Sequence, residues 1–228
     1  MINRLKWGFF VLFMLFFTQT IMAQDWGNLK RYQKKNAALM ASGFDENRIV
    51  FMGNSITQGW SDMRPAFFDG KCYVNRGIGG QTTPEMLLRF RQDVINLKPK
   101  AVVLLAGIND IAGNRGPSTT EIIYNNIISM VEWAGANEIQ VILCSVLPVF
   151  DFPWNPGVKP ALKVIELNGL LKAYANKHGI LYLDYFTAMV DDSNGLKKEL
   201  GIDGVHPNEA GYAVMEPLLE KAIASLKK

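Results

Sequence analysis

Short apolar runs alternate along the chain with longer segments in which apolar residues recur every three or four positions. Uninterrupted apolar runs are typical of strands that are covered on both faces, whereas the wider spacing is typical of amphipathic helices. The runs predict strands at residues 49–53, 72–75, 101–106, 139–147 and 180–184. The spaced segments predict the main helices at residues 26–42, 82–98, 118–134, 163–176 and 207–226.

The regular alternation of strands and helices favours a three-layer α/β/α sandwich built on a five-stranded parallel sheet. Right-handed crossovers leave few strand orders, and we expect the flavodoxin-like order 2-1-3-4-5. Thr82 and Pro84 suit the start of the second helix, while Ser118 and Glu121 form a capping-box pattern at the third. With 228 residues in all, the length predicts a single domain that spans residues 24–228.

The first 23 residues have the layout of a secretory signal peptide. Arg4 and Lys6 precede an apolar run at residues 7–17, and cleavage is expected near Ala23. The run is shorter than the roughly 18 residues that a membrane span needs, and an uncleaved membrane anchor is the alternative interpretation. We therefore expect a periplasmic or secreted protein that is not inserted in a membrane after the signal is cleaved.

Charge and cysteine content argue against several other classes of function. The net charge of +3 falls to +1 without the first 23 residues, whereas nucleic-acid binding usually requires a clearly basic surface. His178 and His206 are the two histidines, and no cysteines or histidines have metal-ligand spacing, so we expect neither a metal nor another cofactor. Cys72 and Cys144 fall on strands too far apart for a disulfide, so we expect two buried thiols.

Polar side chains follow the carboxyl ends of several predicted strands, and these ends meet at one edge of a parallel sheet. Ser55 comes two positions after the first strand, and the glycine-rich segment 76–82 follows the second. Asn109 follows the third strand, while Asp203 and His206 come after the fifth, beyond a loop. These residues could supply the nucleophile, base, orienting group and oxyanion donors of a serine hydrolase.

Each of these parts also has a purely structural interpretation. Ser55 could cap a helix, Asn109 could close a turn, and Asp203 with His206 could cap the last helix. The glycine-rich segment could bind phosphate at a helix N-terminus, although it lacks the spacing and the lysine of a P-loop. Because His178 belongs to a helix-end signal, a histidine base would be His206 by elimination. The convergence of all parts at one edge favours the hydrolase interpretation.

Four sequence blocks resemble those of the SGNH (GDSL-type) hydrolases, namely Gly-Asn-Ser-Ile-Thr, Gly-Ile-Gly-Gly-Gln-Thr, Gly-Ile-Asn-Asp and Asp-Gly-Val-His-Pro. The resemblance runs from about Arg48 to the C-terminus. Within the family it is nearest to the platelet-activating-factor acetylhydrolase-like branch and to exported esterases of polysaccharide-degrading bacteria. One departure is visible, because Asn54 stands where the family usually has Asp before the nucleophile.

The resemblance implies a role for each matching position. Ser55 is the expected nucleophile and first oxyanion donor, Gly80 donates a second backbone N–H, and Asn109 donates its side-chain amide. His206 is the expected base, and Asp203 is the group that orients it. A hydroxyl is a weak nucleophile without an adjacent base, so this division of roles is chemically reasonable. The proline after His206 also favours an extended backbone at that position.

The expected function is a serine esterase that removes small O-acyl groups, chiefly acetyl, from carbohydrates. The proline-rich loop after the fourth strand holds Phe150, Phe152 and Trp154, which are candidate substrate contacts because aromatic rings suit sugar rings and small acyl pockets. Packing at the edge of the core is the alternative for this loop. The other functions left open are a lysophospholipase or thioesterase acting on longer acyl chains, and a non-catalytic glycan-binding module.

Overall fold

The structure is a computed structural model that describes residues 24–227, so the predicted signal peptide and its cleavage site near Ala23 lie outside the described residues. Parallel strands form one sheet, made of β1 (Ile49–Gly53), β2 (Tyr73–Gly77), β3 (Ala101–Leu105), β4 (Gln140–Cys144) and β5 (Leu181–Leu183). Their order is β2-β1-β3-β4-β5, which confirms the predicted flavodoxin-like topology. Every residue of β1 and β3 is buried, as their uninterrupted apolar runs predicted.

Helices connect the strands and cover both sides of the sheet. They are α1 (Lys30–Ala41), α2 (Ser55–Met63), α3 (Pro65–Phe68), α4 (Thr83–Asp93), α5 (Ile108–Ile111), α6 (Thr120–Gly135), α7 (Pro160–His178), α8 (Tyr185–Met189) and α9 (Glu209–Ala224). Short 3₁₀ turns lie at Ile95–Leu97 and Lys198–Leu200. Across residues 24–227, none of the helices combines the length and the apolar character that crossing a membrane would require.

Two groups of helices form the outer layers. On one face, α4 packs against α1 and α6, and α6 packs against α7. On the other face α2 lies beside α9, where the ring of Trp60 stacks on that of Tyr212 with 5.4 Å between the centroids. The hydroxyl of Tyr212 also donates a hydrogen bond of 2.7 Å to the backbone oxygen of Ile56. The last helix is thereby fixed to the helix that follows β1.

Two predicted helix starts differ from the structure. Helix α6 is capped by Thr119, whose Oγ1 accepts the N–H of Ile122 at 3.2 Å, so the capping box predicted from Ser118 is wrong by one residue. Thr119 has the extended backbone of a capping residue, which aims its hydroxyl at the first turn. Helix α1 begins at Lys30, later than predicted, and the carboxylate of Asp25 accepts the backbone N–H groups of Leu29 and Lys30 at this start.

The two cysteines are free thiols in different surroundings. Cys144 is buried at the end of β4, as expected. Cys72 is exposed, so the expectation of two buried thiols is wrong for this residue. The reason is that β2 begins one residue later, at Tyr73, and this strand lies at the edge of the sheet.

Strands β1, β2 and β3 end at one level. Gly53, the last residue of β1, lies opposite Gly77 of β2 and Leu105 of β3. Helix α2 turns back tightly over this end of the sheet. A Cβ atom on Gly77 would overlap the backbone nitrogen of Gln58, and a Cβ atom on Gly53 would overlap the side chain of Thr57. Glycine at these two positions is what allows the helix to start directly after the strand.

Gly77→Ala is therefore expected to lower the free energy of unfolding by about 2 kcal/mol or more, because the atom that it meets belongs to the backbone and cannot rotate away. Gly169→Ala in α7 is the matched control, since a Cβ atom there would meet nothing within 4 Å. Gly169→Ala should raise the free energy of unfolding by up to about 1 kcal/mol, because alanine has a higher helix propensity than glycine. Urea denaturation measures both, and equal effects of the two substitutions would contradict the steric explanation.

Candidate active site

Ser55 is the first residue of α2, one position after the residue that caps this helix. The cap is Asn54, whose Oδ1 accepts the backbone N–H of Ile56 at 3.0 Å. Asn54 is fully buried, and its Nδ2 has no hydrogen-bond partner within residues 24–227. The amide oxygen thus keeps the cap that holds Ser55 at the sheet edge, while the amide nitrogen adds a buried donor that a carboxylate would lack.

His206 lies 151 positions after Ser55 in sequence, yet its Nε2 is 2.9 Å from Ser55 Oγ. The other ring nitrogen, Nδ1, is 2.8 Å from Oδ2 of Asp203. The second carboxylate oxygen of Asp203 accepts the backbone N–H groups of Val205 and His206, at 3.0 and 2.8 Å. The backbone N–H of Ile202 closes this turn by donating to the oxygen of His206 at 2.8 Å. The three side chains therefore form one hydrogen-bonded series.

The direction of proton transfer in this series follows from the state of Asp203. Burial acts to raise the pKa of Asp203, but hydrogen bonds from His206 and Val205 outweigh burial and hold the pKa below its ordinary value. An ionised carboxylate can only accept hydrogen bonds, so Nδ1 of His206 donates its proton to Asp203. Nε2 is then free to accept the hydroxyl proton of Ser55. The arrangement can hold a positively charged imidazole beside a carboxylate.

The glycine-rich turn after β2 approaches the side chain of Ser55. A Cβ atom built on Gly79 would lie 3.8 Å from the Cβ of Ser55. The backbone N–H of Gly79 donates to Oε1 of Gln58 at 2.8 Å, which attaches the turn to α2. Gly80 follows with a left-handed backbone, at φ +77°. The backbone N–H groups of Ser55 and Gly80 have no acceptor in the described part of the chain, and so both can donate to a ligand.

Asn109 brings a side-chain amide to the same edge from α5. Its Nδ2 donates one hydrogen to the backbone oxygen of Gln81 at 2.9 Å, which leaves the second amide hydrogen for another acceptor. The backbone oxygen of Asn109 accepts the N–H of Asn114 at 3.0 Å, and Nδ2 of Asn114 donates to the oxygen of Gly80 at 3.4 Å. The turns after β2 and β3 are thereby tied to each other.

The loop after β4 divides its three aromatic residues between the core and the surface. Phe152 is fully buried, so it anchors the loop. Phe150 is 62% exposed and Trp154 is 47% exposed. The centroid of the Trp154 ring lies 6.1 Å from that of the His206 imidazole. Phe150 and Phe152 both line a neighbouring cleft of about 310 Å³, to which Asp203 also contributes.

Hydrogen bonds hold this aromatic loop in place. Oδ1 of Asp151 accepts the backbone N–H of Phe152 at 2.9 Å and that of Gly157 at 3.2 Å. Nδ2 of Asn155 donates to the backbone oxygen of Ala112 at 3.0 Å, just after α5. Trp154 therefore stands beside His206 on a loop that is fixed on both sides. A platform of this kind binds a ligand without first having to be ordered.

Comparison with known proteins places these residues in a family. The sequence model of the GDSL-like lipase/acylhydrolase family matches residues 51–214, a range that includes Ser55, Gly80, Asn109, Asp203 and His206. The chain belongs to the GDSL-like lipase/acylhydrolase family. Membership confirms the family that the four sequence blocks indicated.

Two solved structures of similar proteins share the fold of this family member. A candidate acylhydrolase from Bacteroides fragilis is 48% identical, with a TM-score of 0.86 over 90% of this chain and 100% of that one. A GDSL-like lipase from Bacteroides thetaiotaomicron is 46% identical, with a TM-score of 0.84 over 87% of this chain and 98% of that one. Both confirm the α/β architecture with a five-stranded parallel sheet.

An acetylxylan esterase from Xylanibacter ruminicola is 24% identical to this acylhydrolase-family chain. The match covers 89% of this chain and 47% of the relative, so the chain spans about half the length of that curated relative. The family match by itself places the chain among the ester hydrolases.

Asp110 is a further buried carboxylate at the edge that carries Asn109. Its oxygens accept the backbone N–H of Thr83 at 3.0 Å and the hydroxyl of Thr83 at 2.6 Å, so the residue clamps the turn after β3 to the start of α4. The Gly-Ile-Asn-Asp block marks this residue, but only the fold shows what it binds. Within residues 24–227 no group of three or more His, Cys, Asp or Glu is placed to hold a metal.

Burial raises the pKa of Asp110 to about 6, although the hydrogen bonds from Thr83 oppose the shift. The folded state then holds more protons than the unfolded state between pH 3.8 and about pH 6. The free energy of unfolding should therefore fall as the pH rises through this range, by about 3 kcal/mol in all. Asp110→Asn keeps an oxygen acceptor for Thr83 and should remove this part of the pH dependence.

Urea denaturation of the wild type and Asp110→Asn between about pH 4 and about pH 7 measures this effect, since groups common to both proteins cancel in the difference. As the pH rises, the free energy of unfolding of Asp110→Asn should increase relative to that of the wild type. A difference that stays constant across the range would show that folding does not raise the pKa of Asp110.

Proposed function

We propose that this acylhydrolase-family protein is a serine esterase that removes small O-acyl groups, chiefly acetyl, from carbohydrates. One observation carries the proposal: Asp203, His206 and Ser55 form a hydrogen-bonded series that ends at a hydroxyl. At the same edge of the sheet, the backbone N–H groups of Ser55 and Gly80 have no acceptor among residues 24–227. Family membership supports ester hydrolysis, and the geometry supports the division of roles among the side chains.

In the proposed first step, Oγ of Ser55 attacks the carbonyl carbon of the ester. The hydroxyl proton moves to Nε2 of His206, which is 2.9 Å away. The imidazole becomes positively charged, and Asp203 stabilises it through the 2.8 Å contact at Nδ1 without taking the proton. A short path for the proton matters because an unassisted hydroxyl is a poor nucleophile.

The carbonyl oxygen becomes an oxyanion as the bond forms. The N–H groups of Ser55 and Gly80 and the second amide hydrogen of Asn109 are its proposed donors. Gln81 already holds the amide of Asn109, so this donor need not be ordered during the reaction. Fixed donors of this kind each contribute roughly 10²–10³ to the rate of acyl transfer.

Collapse of the intermediate expels the sugar oxygen, which takes the proton from Nε2 of His206 and leaves as an alcohol. The acyl group then remains on Oγ of Ser55. Water enters, gives a proton to the same nitrogen, and attacks the acyl carbon. Release of the carboxylic acid restores the hydroxyl of Ser55. One imidazole thus acts as base and acid in both halves of the reaction.

The surroundings of His206 support a carbohydrate as the alcohol part of the ester. Trp154 offers a half-exposed ring beside the imidazole, and a flat apolar ring suits the apolar face of a sugar. Phe150 and Asp203 line the neighbouring cleft, which combines an aromatic surface with a hydrogen-bond acceptor. The similarity to an acetylxylan esterase supports acetyl as the acyl group.

Export from the cytoplasm is part of the proposal. Residues 1–23 have the layout of a signal peptide, with two basic residues before an apolar run. A polysaccharide substrate lies outside the cell membrane, so an esterase that acts on the polymer must be exported to reach it.

A second candidate is hydrolysis of longer acyl esters, as in a lysophospholipase or thioesterase. The observation that favours it is the apolar rim of the site. Ile202 is 61% exposed directly before Asp203, and Phe150 is exposed nearby. Such a rim could hold an acyl chain as well as a sugar.

Asp203→Asn should lower kcat by up to about 10⁴, because the amide no longer stabilises the charged imidazole. The substitution keeps the size of the side chain, so KM should change little. Hydrolysis of 4-nitrophenyl acetate measures both constants, and Ser55→Ala defines the background rate. A decrease of less than about threefold would show that Asp203 is not needed to orient His206. Wild-type activity in Ser55→Ala would reject the proposed nucleophile.

Trp154→Ala should raise KM for O-acetylated xylan about fivefold, the effect of losing about 1 kcal/mol of stacking. The kcat for 4-nitrophenyl acetate should be unchanged, because this ester has no sugar to stack. Trp133→Ala is the matched control, since Trp133 is 44% exposed on α6 and Trp154 is 47% exposed. Released acetate is measured in each case, and equal KM values for the two variants would contradict the platform role.

The length of the acyl chain separates the two candidate functions. Activity on 4-nitrophenyl esters should fall as the chain grows beyond acetyl and butyryl. Activity that instead rises with longer chains would favour the lysophospholipase or thioesterase.

A further inference from the structure

Arg89 of α4 is fully buried and makes hydrogen bonds in three directions. Its Nε donates to Oε1 of Gln81 at 2.6 Å, and its Nη2 donates to the backbone oxygen of Gly53 at 3.0 Å. Its Nη1 donates to the backbone oxygen of Arg76 at 2.8 Å and to Oδ2 of Asp93 at 3.0 Å. The guanidinium group therefore holds two strand ends and one turn at once.

The acceptors lie directly before or beside the proposed oxyanion donors. Gly53 ends β1, two positions before Ser55. Gln81 follows Gly80, and its backbone oxygen accepts the side-chain amide of Asn109 at 2.9 Å. One side chain thus contacts the segments that carry the first and second donors, and it reaches the third through Gln81.

The charge of this guanidinium group is balanced within the same helix. Asp93 is one turn after Arg89 and is equally buried. Its second oxygen, Oδ1, accepts Nδ2 of Asn36 at 2.6 Å, and Oδ1 of Asn36 accepts Nε of Arg76 at 2.8 Å. Asp93 can therefore neutralise Arg89 without needing any contact with the turns. The ion pair supplies charge balance, while the bonds to Gly53, Arg76 and Gln81 are additional.

We propose that Arg89 is a positioning residue for the oxyanion hole. It fixes the carbonyl groups at the ends of β1 and β2 and the side chain of Gln81, so the donors that follow point at the reacting carbonyl oxygen. Only guanidinium offers several N–H groups in a rigid plane, and a lysine could not serve these diverging acceptors together. The inference rests on the proposed function, because it assigns Arg89 a task only if Ser55, Gly80 and Asn109 form the oxyanion hole.

A stability role alone would have a different signature from a positioning role. Removal of Arg89 by itself would leave Asp93 buried and unpaired, which is strongly destabilising whatever the residue does for catalysis. Arg89→Met combined with Asp93→Leu removes both charges of the pair, and apolar replacement of a buried pair is often tolerated, although buried Arg76 then loses the attraction of Asp93. Gln81→Met is a milder second variant, because it cuts the bond from Nε of Arg89 and keeps the ion pair.

The experiment compares kcat and KM for 4-nitrophenyl acetate with the inhibition constant of a phenyl trifluoromethyl ketone. A nucleophilic serine adds to this ketone and forms a tetrahedral oxyanion, so its affinity reports on the oxyanion donors. We expect the double variant and Gln81→Met to lower kcat about 10- to 100-fold. This loss is smaller than the one expected when an oxyanion donor is removed, because here the donors are present but misaligned. The inhibition constant should rise by a similar factor, while KM changes less than about threefold.

The surface ion pair between Lys71 and Glu220 provides the matched control. Lys71→Met combined with Glu220→Leu also replaces an ion pair by apolar side chains, and Lys71 lies before the first residue of β2, at the opposite end of this strand from the glycine-rich turn. This control should leave kcat and the ketone affinity unchanged. Thermal unfolding of each variant shows whether the protein is folded, and Gln81→Met decides the question if the Arg89 double variant does not fold.

Two failures can be told apart. If Ser55→Ala is as active as the wild type, the proposed function itself is wrong. If Ser55→Ala is inactive but folded Gln81→Met and the folded double variant keep wild-type kcat and ketone affinity, only the positioning role is overturned. A rise in KM with unchanged ketone affinity would also overturn it, because that pattern assigns the effect to substrate binding.

Discussion

The register of the parallel sheet is the constraint on which the site depends. Gly53, Gly77 and Leu105 lie side by side, so β1, β2 and β3 stop at one level. A slip of one residue would shift a turn by about 3.3 Å along the strand and reverse the faces of its side chains. Hydrogen bonds do not survive displacements of that size. The contact between Ser55 and its neighbours is therefore decided by strand pairing before any loop is considered.

Beneath that edge, the core contains buried polar and charged side chains, whose desolvation costs free energy that a wholly apolar core would not lose. Arg89, Asp93, Arg76 and Asn36 are all buried, and burial removes their polar groups from water. Desolvation of a charged group costs several kcal/mol and is offset only where its polar atoms find partners. Here one shared set of hydrogen bonds supplies those partners. Apolar packing could replace the stability of such a network but not the directions that it gives to backbone carbonyl groups.

Strand positions, strand order and the edge that gathers Ser55 and His206 could be predicted, because hydrophobic spacing and crossover handedness determine them. The direction of each side chain inside a loop could not be predicted from the sequence. Phe152 turns into the core and Trp154 faces solvent, since their directions depend on hydrogen bonds at the two ends of the loop. The sequence also could not predict the proposed role of Arg89. A charged residue on an amphipathic helix is expected to face water, and its acceptors come from three other segments.

The helix that begins at Ser55 and the helix that follows His206 lie next to each other on one face of the sheet. Tyr212 joins them by donating to the backbone oxygen of Ile56. The distance between hydroxyl and imidazole thus depends on the docking of these two helices as well as on the turn that holds His206. Outer helices open locally at a lower free energy than central strands do. Undocking of α9 would therefore separate the hydroxyl from the imidazole while the central strands of the sheet stay paired.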